Sequence, residues 1–253
     1  GGLGCSLADN LEIIRLTVAY LKQQLPLVFF DAEHFFDGFK HNRDYALAAL
    51  RAASEGGADR LILCDTNGGS LPHEITAIVG ELVKLTDKTL GIHCHNDGEL
   101  AVANSLCAVQ AGVVQVQGTV NGVGERCGNA NLCSIVSNLV LKLGYECSLS
   151  SNLDKLTEAS RVFDDIANLS HNKHQAFVGE AAFAHKGGVH ASAVLNDPLT
   201  YEHITPESVG NRRQVLVSDQ AGKSNLIAAL QRMGLEVAKD DTRLDGLLRE
   251  VKK

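Results

Sequence analysis

The 253-residue chain has no basic stripe. Its 23 Lys and Arg are scattered and outnumbered by 30 Asp and Glu, for a formal net charge of −7, so the electrostatic footprint of a nucleic-acid or anionic-lipid binder is absent. No apolar run approaches the roughly 20 residues of a membrane span, and the N-terminus lacks the basic start and apolar core of a signal peptide. The chain reads as cytoplasmic, with small soluble molecules as partners and neither nucleic acid nor membrane. Its seven cysteines (5, 64, 94, 107, 127, 133 and 147) are odd in number and never paired as CxxC, so reduced thiols are expected, with Cys64 and Cys94 as small buried hydrophobes. The usual nucleotide loops are missing too. "NGVGERCGN" (121–129) is spaced GxGxxxG rather than as a dinucleotide fingerprint, and "AGKSN" (221–225) follows Val217 where a phosphate-binding loop requires glycine.

What is present is alternation. With 45% hydrophobic residues the chain can bury a full core, as one domain of barrel size or two smaller ones. Four segments read as buried strands: "LPLVFFDAE" (25–33), "DRLILCDT" (59–66), "KTLGIHCHND" (88–97) and "GVVQVQGTV" (112–120). Each is followed by a turn and a helical pattern, which makes a run of β/α units and hence parallel strands. Polar residues gather at the strand C-terminal ends: Asp31 and Glu33, Asp65 and Thr66, His93 and His95, Thr119 and Asn121. In a (β/α)8 TIM barrel those ends open on one face, where such enzymes keep their chemistry. A doubly wound sheet, which gathers ligands at one switch point, suits the pattern less well.

Only four of the eight strands of a barrel can be counted, and the chain opens on a helical stretch, "SLADNLEIIRLTVAYLKQQ". Residues 1–145 are therefore expected to form the C-terminal half of a catalytic TIM barrel of the α/β class. After residue 145 the alternation stops, and 146–253 are expected to form a helical subdomain covering the active site.

His93 and His95 would point about 200° apart on a helix, whereas on a strand both leave the same face. There they form a pair suited to a divalent ion through neutral imidazole nitrogens. The alternative is two histidines bonded to loop carbonyls. In 121–129 the glycines could bring backbone amides to an anion at a helix start, while Glu125, Arg126 and Asn129 read as a loop closing the metal site. "AFAHKGGVHAS" (182–192) sets His185 and His190 around two glycines, as an acid or base on a mobile cover or as cap or interface histidines.

The segments "FDAEHFFDG", "CDTNGG", "GIHCHNDGELAVANSL", "GTVNGVGERCGNANL", "AFAHKGGVHASAV" and "YEHITPESVGNRR" together resemble the metal-dependent acyl-CoA condensing synthases, the group of isopropylmalate, homocitrate and citramalate synthases. The "DAEHFFDG" and "CDTNGG" signatures are those of the citramalate members, and the resemblance runs over nearly the whole chain. It implies a divalent metal ion (magnesium, manganese or zinc) held by His93, His95 and Asn129, Glu33 near a bound keto acid, and Thr66 on its carboxylate. It also implies that His190 and Tyr201 reach the acetyl-CoA site, with His190 the partner in proton transfer. The reaction implied condenses acetyl-CoA with pyruvate to citramalate and CoA, in isoleucine biosynthesis. Isopropylmalate or homocitrate synthesis from a larger 2-oxo acid, a lyase like hydroxymethylglutaryl-CoA lyase, and a non-catalytic fragment are the alternatives. Family members begin with a strand bearing a "DTTLRDG"-like motif that supplies a metal aspartate and a keto-acid arginine. The sequence contains neither, so the chain is expected to be N-terminally incomplete, with a homodimer expected of the full-length form.

Overall fold

A computed structural model describes residues 4–186, 188–216, 222–238 and 240–251. Gly187 of the histidine motif, and Val217 and Ala221 of the phosphate-loop comparison, lie outside the described residues. The chain divides into two compact units, Gly1–Ile135 and Val136–Lys253.

The first unit opens with α1 (Leu7–Gln24), closed at its start by a capping box in which Ser6 Oγ accepts from Asp9 N and the Asp9 carboxylate accepts from Ser6 N. Near its end, Lys22 pairs with Asp59 at 2.7 Å, and Asp59 also accepts from the amide of Val28. This contact ties the helix to the starts of the first two strands. Those strands and their successors are β1 (Phe29–Ala32), β2 (Arg60–Asp65), β3 (Thr89–Cys94) and β4 (Gln115–Gln117), with α2 (Phe35–His41), α3 (Arg43–Glu55), α4 (Pro72–Leu82) and α5 (Ala101–Gln110) between them. The sheet is parallel, in the order β1-β2-β3-β4. All four expected strands are present, each shorter than its hydrophobic run, because the terminal residues of those runs turn into loops instead of joining a ladder.

α2 was not expected. Its seven residues carry a glycine, too short a span for a helical period to show, yet Phe35, Phe36 and Phe39 are all buried. It starts from His34, whose φ of 56° turns the chain sharply after the strand.

Register assigns the two faces of the sheet. One face carries Leu61, Leu63, Leu90 and Ile92, all buried. The other carries Asp31, Ile62 and Gly91 in one row and Cys64, His93 and Gln117 in the next. β1 and β4 are the outer strands, three strand spacings and about 14 Å apart on a flat sheet. Gln117 Nε2 nonetheless reaches Asp31 Oδ1 at 3.3 Å, so the sheet is curved strongly toward this second face, as barrel strands are.

Residues of α6 (Leu132–Leu141) fall on both sides of the division. The second unit continues with α7 (Leu156–Ala167), β5 (Ala184–His185), α8 (Gly188–Asn196), β6 (Gln214–Val215), α9 (Lys223–Arg232) and α10 (Arg243–Val251). A helical subdomain was expected here, but β5 and β6 form a two-stranded parallel sheet. Two residues per strand are too few to leave a period of two in the sequence. The unit is held by polar staples: Asn211 Nδ2 donates to the carbonyls of Phe177 and Gly179, and Thr157 Oγ1 to that of Val209. Leu226, Ile227 and Leu244 make a small apolar core between α9 and α10.

Candidate active site

In the first unit the site is built at the C-terminal ends of the strands. His93 lies within β3, and His95 lies one residue beyond it, in an isolated antiparallel bridge with Asn129. Their rings are 5.2 Å apart, centroid to centroid, as expected of two residues leaving one face of a strand. The loop carrying Asn129 is sewn onto the end of β3, with Ala130 N donating to Cys94 O and Asn96 N to Gly128 O, both at 2.9 Å.

Glycine is required in that loop. Gly128 has φ of 91°, and a Cβ there would lie 2.0 Å from the carbonyl oxygen of Gly122. Three amides of the loop are spent within it: Gly122 N donates to Thr119 O, Gly128 N to Glu125 O and Asn129 N to Gly122 O. α6 starts only at Leu132, beyond the loop.

Arg126 closes the loop from the other direction. Its guanidinium donates to both oxygens of Asp97 at 2.8 Å and to the carbonyl of Thr66 at 2.7 Å, joining the ends of β2 and β3. The Arg126 hydrogen bonds hold the Asp97 carboxyl below its ordinary range. Burial, followed by the neighbouring His93 and Arg126, pushes the His95 pKa down, which favours the neutral imidazole a metal needs.

Two buried polar atoms of this cluster, His95 Nδ1 and Asn129 Oδ1, have no hydrogen-bond partner; the third such side-chain atom among the described residues, Asn104 Oδ1, belongs to α5. Leaving such a group unpaired costs about 1–3 kcal/mol, and both atoms are lone-pair donors of the kind a divalent ion takes. Among the described residues no three His, Cys, Asp or Glu side chains are grouped to hold an ion; the side chains here that could donate to one are two imidazoles and an amide oxygen.

Glu33 and Thr66 meet directly. Thr66 Oγ1 donates to Glu33 Oε2 at 2.8 Å and accepts from His34 N at 2.7 Å. Expected to hold a carboxylate, Thr66 here spends its single hydroxyl proton on Glu33. Asp65, expected among the strand-end polar residues, points the other way: it is buried and receives Ser70 Oγ and Ser70 N. Cys64 and Cys94 are buried thiols, the latter pushed by burial to about 12.

Sequence reasoning missed Gln117. It stands beside His93 in the β3–β4 register and its Oε1 lies 3.1 Å from His93 Nδ1. Its position in the strand-end row was the available signal, obscured because Thr119 and Asn121 were read as the polar end of that strand.

In the second unit His190 and Tyr201 are exposed and stacked, with ring centroids 4.1 Å apart and planes 29° apart. His185 is a structural residue. It is buried, its Nε2 lies 3.0 Å from Glu202, and Glu202 is gripped by Arg213 through two hydrogen bonds of 2.7 and 2.6 Å. Burial is the largest influence on Glu202 and raises its pKa, but Arg213 and His185 outweigh it and hold the carboxyl below its ordinary value.

The chain is similar to (R)-citramalate synthases from Geobacter sulfurreducens, at 55% identity over 96% of this chain and 46% of that protein, and from Aquifex aeolicus, at 54% over 99% and 48%. It spans about half the length of these curated relatives. An HMG-CoA lyase from Bacillus subtilis shares the fold, with a TM-score of 0.53 at 19% identity over 65% of this chain and 58% of that one. Residues 177–253 match the domain described as homocitrate synthase post-HMGL domain-like. Residues 2–163, well over half of the chain, match the HMGL-like family, and the chain belongs to that family.

Proposed function

We propose that the protein condenses acetyl-CoA with pyruvate, the new C–C bond giving a citramalyl thioester that water hydrolyses to citramalate and free CoA. The observation that carries the reading is the pair of orphaned lone-pair donors, His95 Nδ1 and Asn129 Oδ1, on the same strand-end cluster as His93 and the Glu33–Thr66 pair. The identity to proteins named (R)-citramalate synthase supports pyruvate as the keto acid.

In this reading His93, His95 and Asn129 hold a divalent ion. Such an ion, when bound, supplies Lewis-acid polarisation of a 2-oxo acid's carbonyl. Glu33 and Thr66 act as one unit beside it: the hydroxyl proton is shared with the carboxylate, and rotating it toward a substrate carboxylate frees Glu33 to accept a proton from bound water or from a hydroxyl. Arg126 fixes the loop that carries Asn129 and neutralises Asp97 beside the histidines. His190, stacked on Tyr201, takes the acetyl methyl proton as general base. The protein is proposed to work as a homodimer in the cytoplasm; among the described residues no helix is long and apolar enough to cross a membrane.

The test is thiol release from acetyl-CoA by the protein as its host makes it, with pyruvate or 2-oxoisovalerate as acceptor and Mg²⁺, Mn²⁺ or Zn²⁺ supplied. Pyruvate is expected to be preferred at least about tenfold, the discrimination a pocket achieves against extra methyl groups. Preference for the branched acid assigns the protein to isopropylmalate-type synthesis, and cleavage of a hydroxyacyl-CoA without condensation assigns it to the lyases.

A further inference from the structure

We propose that Asp31, acting through Gln117, fixes the tautomer of His93, holding the proton on Nδ1 and turning the lone pair of Nε2 toward the strand-end cluster. The inference rests on the metal-site reading above and deepens it: Asp31 and Gln117 become positioning residues for His93.

The argument begins at the carboxylate. An ionised carboxylate only accepts hydrogen bonds. The Gln117 side chain lies between it and the imidazole, 3.3 Å from Asp31 Oδ1 through one atom and 3.1 Å from His93 Nδ1 through the other. Only the amide nitrogen can donate to Asp31, so the amide oxygen must face His93. An amide oxygen has no proton to give, so the contact is a hydrogen bond only if His93 Nδ1 bears one. A neutral imidazole protonated at Nδ1 has its lone pair at Nε2. The choice of tautomer thus descends from a charge two side chains away, without any contact between Asp31 and His93.

The backbone makes the relay possible. Gln117 is the register partner of His93, on the same sheet face, and the curvature of the sheet brings Asp31 from the far edge strand into reach of it. His95, with Nδ1 buried and unpartnered, has no such relay. The two histidines are therefore oriented by different means, His93 by a hydrogen-bonded chain and His95 by the backbone bridge to Asn129. Outer partners of this kind set ring orientation and are typically worth 10- to 100-fold in metal affinity.

The experiment is long-range ¹H–¹⁵N NMR on the histidine-labelled full chain without metal, with the His93 signals identified by their loss in His93→Gln. The expected result in the unsubstituted chain is a proton on Nδ1, a measurement that requires no variant to fold. Asp31→Asn lets the Gln117 amide turn either way and is expected to give a mixed tautomer. Gln117→Glu places a second carboxylate beside Asp31 and is expected to disturb both groups. Combining the two, Asp31→Asn with Gln117→Glu, restores a donor facing an acceptor at both contacts, and the Nδ1–H form is expected to return. Titration with Zn²⁺ alone is expected to be about 10- to 100-fold weaker in Asp31→Asn and to recover in the double variant. A proton on Nε2 of His93 in the unsubstituted chain, or an unmoved tautomer in Asp31→Asn, overturns the relay and leaves the proposed reaction untouched. His93 signals that ignore Zn²⁺ in the unsubstituted chain overturn the metal reading, and with it the purpose assigned to the relay.

Discussion

At the ends of β1, β2 and β3 the side chains around His95 are held by residues from other elements. Glu33 is held by Thr66, His93 by Gln117, Asp97 by Arg126, and Asn129 by the ladder of amide bonds between its loop and the end of β3. In the second unit His190 and Tyr201 stack on each other, exposed, and the buried polar chemistry lies next door in His185, Glu202 and Arg213. One region is organised by backbone geometry that admits few substitutions. In the other, a buried charged cluster supports the fold while the pair with proposed chemistry stays on the surface. Pre-organisation and exposure are separate means of preparing a residue for reaction, and they predict different responses to mutation.

The sharpest way to break this contrast is Gly128→Ala. The added Cβ would meet the Gly122 carbonyl at 2.0 Å, in a backbone conformation with φ of 91°. Relief requires moving the loop, and the loop carries Asn129 and its bridge to His95. A loss of roughly 3 kcal/mol in unfolding free energy is expected, at the upper end of the cost of such strain, together with loss of Zn²⁺ binding. Urea denaturation and a zinc titration on the same sample measure both. A variant as stable as the parent that still binds zinc would show that the loop is not pre-organised.

A smaller effect is expected from Glu202→Gln, which removes the buried carboxylate between His185 and Arg213. The pair with Arg213 is partly open to solvent on the arginine side, so the cost at neutral pH is expected to be about 2 kcal/mol, below that of breaking a fully buried pair. Its pH dependence has a definite sign. The folded-state pKa of Glu202 lies below the ordinary 4.5, so the carboxylate contributes its full stability above that value and loses it as the pH falls through the folded-state pKa. The stability gap between parent and variant should therefore be constant above pH 4.5 and close below it. A gap that widens in acid would mean that burial, not Arg213, sets the charge of this group.

The two regions also differ in how much of them was legible. The parallel β/α order, the shared face of His93 and His95, and the meeting of the 121–129 loop with that face follow from periods of two and of 3.6 and from motif order. α2, β5 and β6 were not legible, because two to seven residues do not complete enough periods to register. The role of Gln117 was hidden for another reason: it depends on which residue stands opposite in the next strand and on how far the sheet curls, and neither is a property of one segment. His185 and His190 looked equivalent around their glycines. Burial beside Glu202 separates them, and burial is decided by residues 17 and 28 positions further along the chain than His185.

The smallest effect on folding is expected at Tyr201. The residue is 47% exposed and its contact with His190 is a stack at 4.1 Å. An aromatic pair adds about 0.5–1.5 kcal/mol when well buried, so an exposed stack should contribute toward the lower end, and Tyr201→Ala is expected to cost less than about 1 kcal/mol. Zinc affinity should not change, because the metal reading draws its protein ligands from the strand-end cluster alone. Turnover should fall all the same, since an imidazole that loses its stacking partner samples more rotamers and spends less time aligned with the methyl group it is proposed to deprotonate. Tyr201→Phe keeps the ring and should retain most of the activity if stacking is the function, whereas equal losses in the two variants would assign the work to the hydroxyl. Thiol release, denaturation and zinc titration on both variants separate these outcomes, and a large loss of stability in Tyr201→Ala would show that the surface pair belongs to the framework and erase the contrast between the two regions.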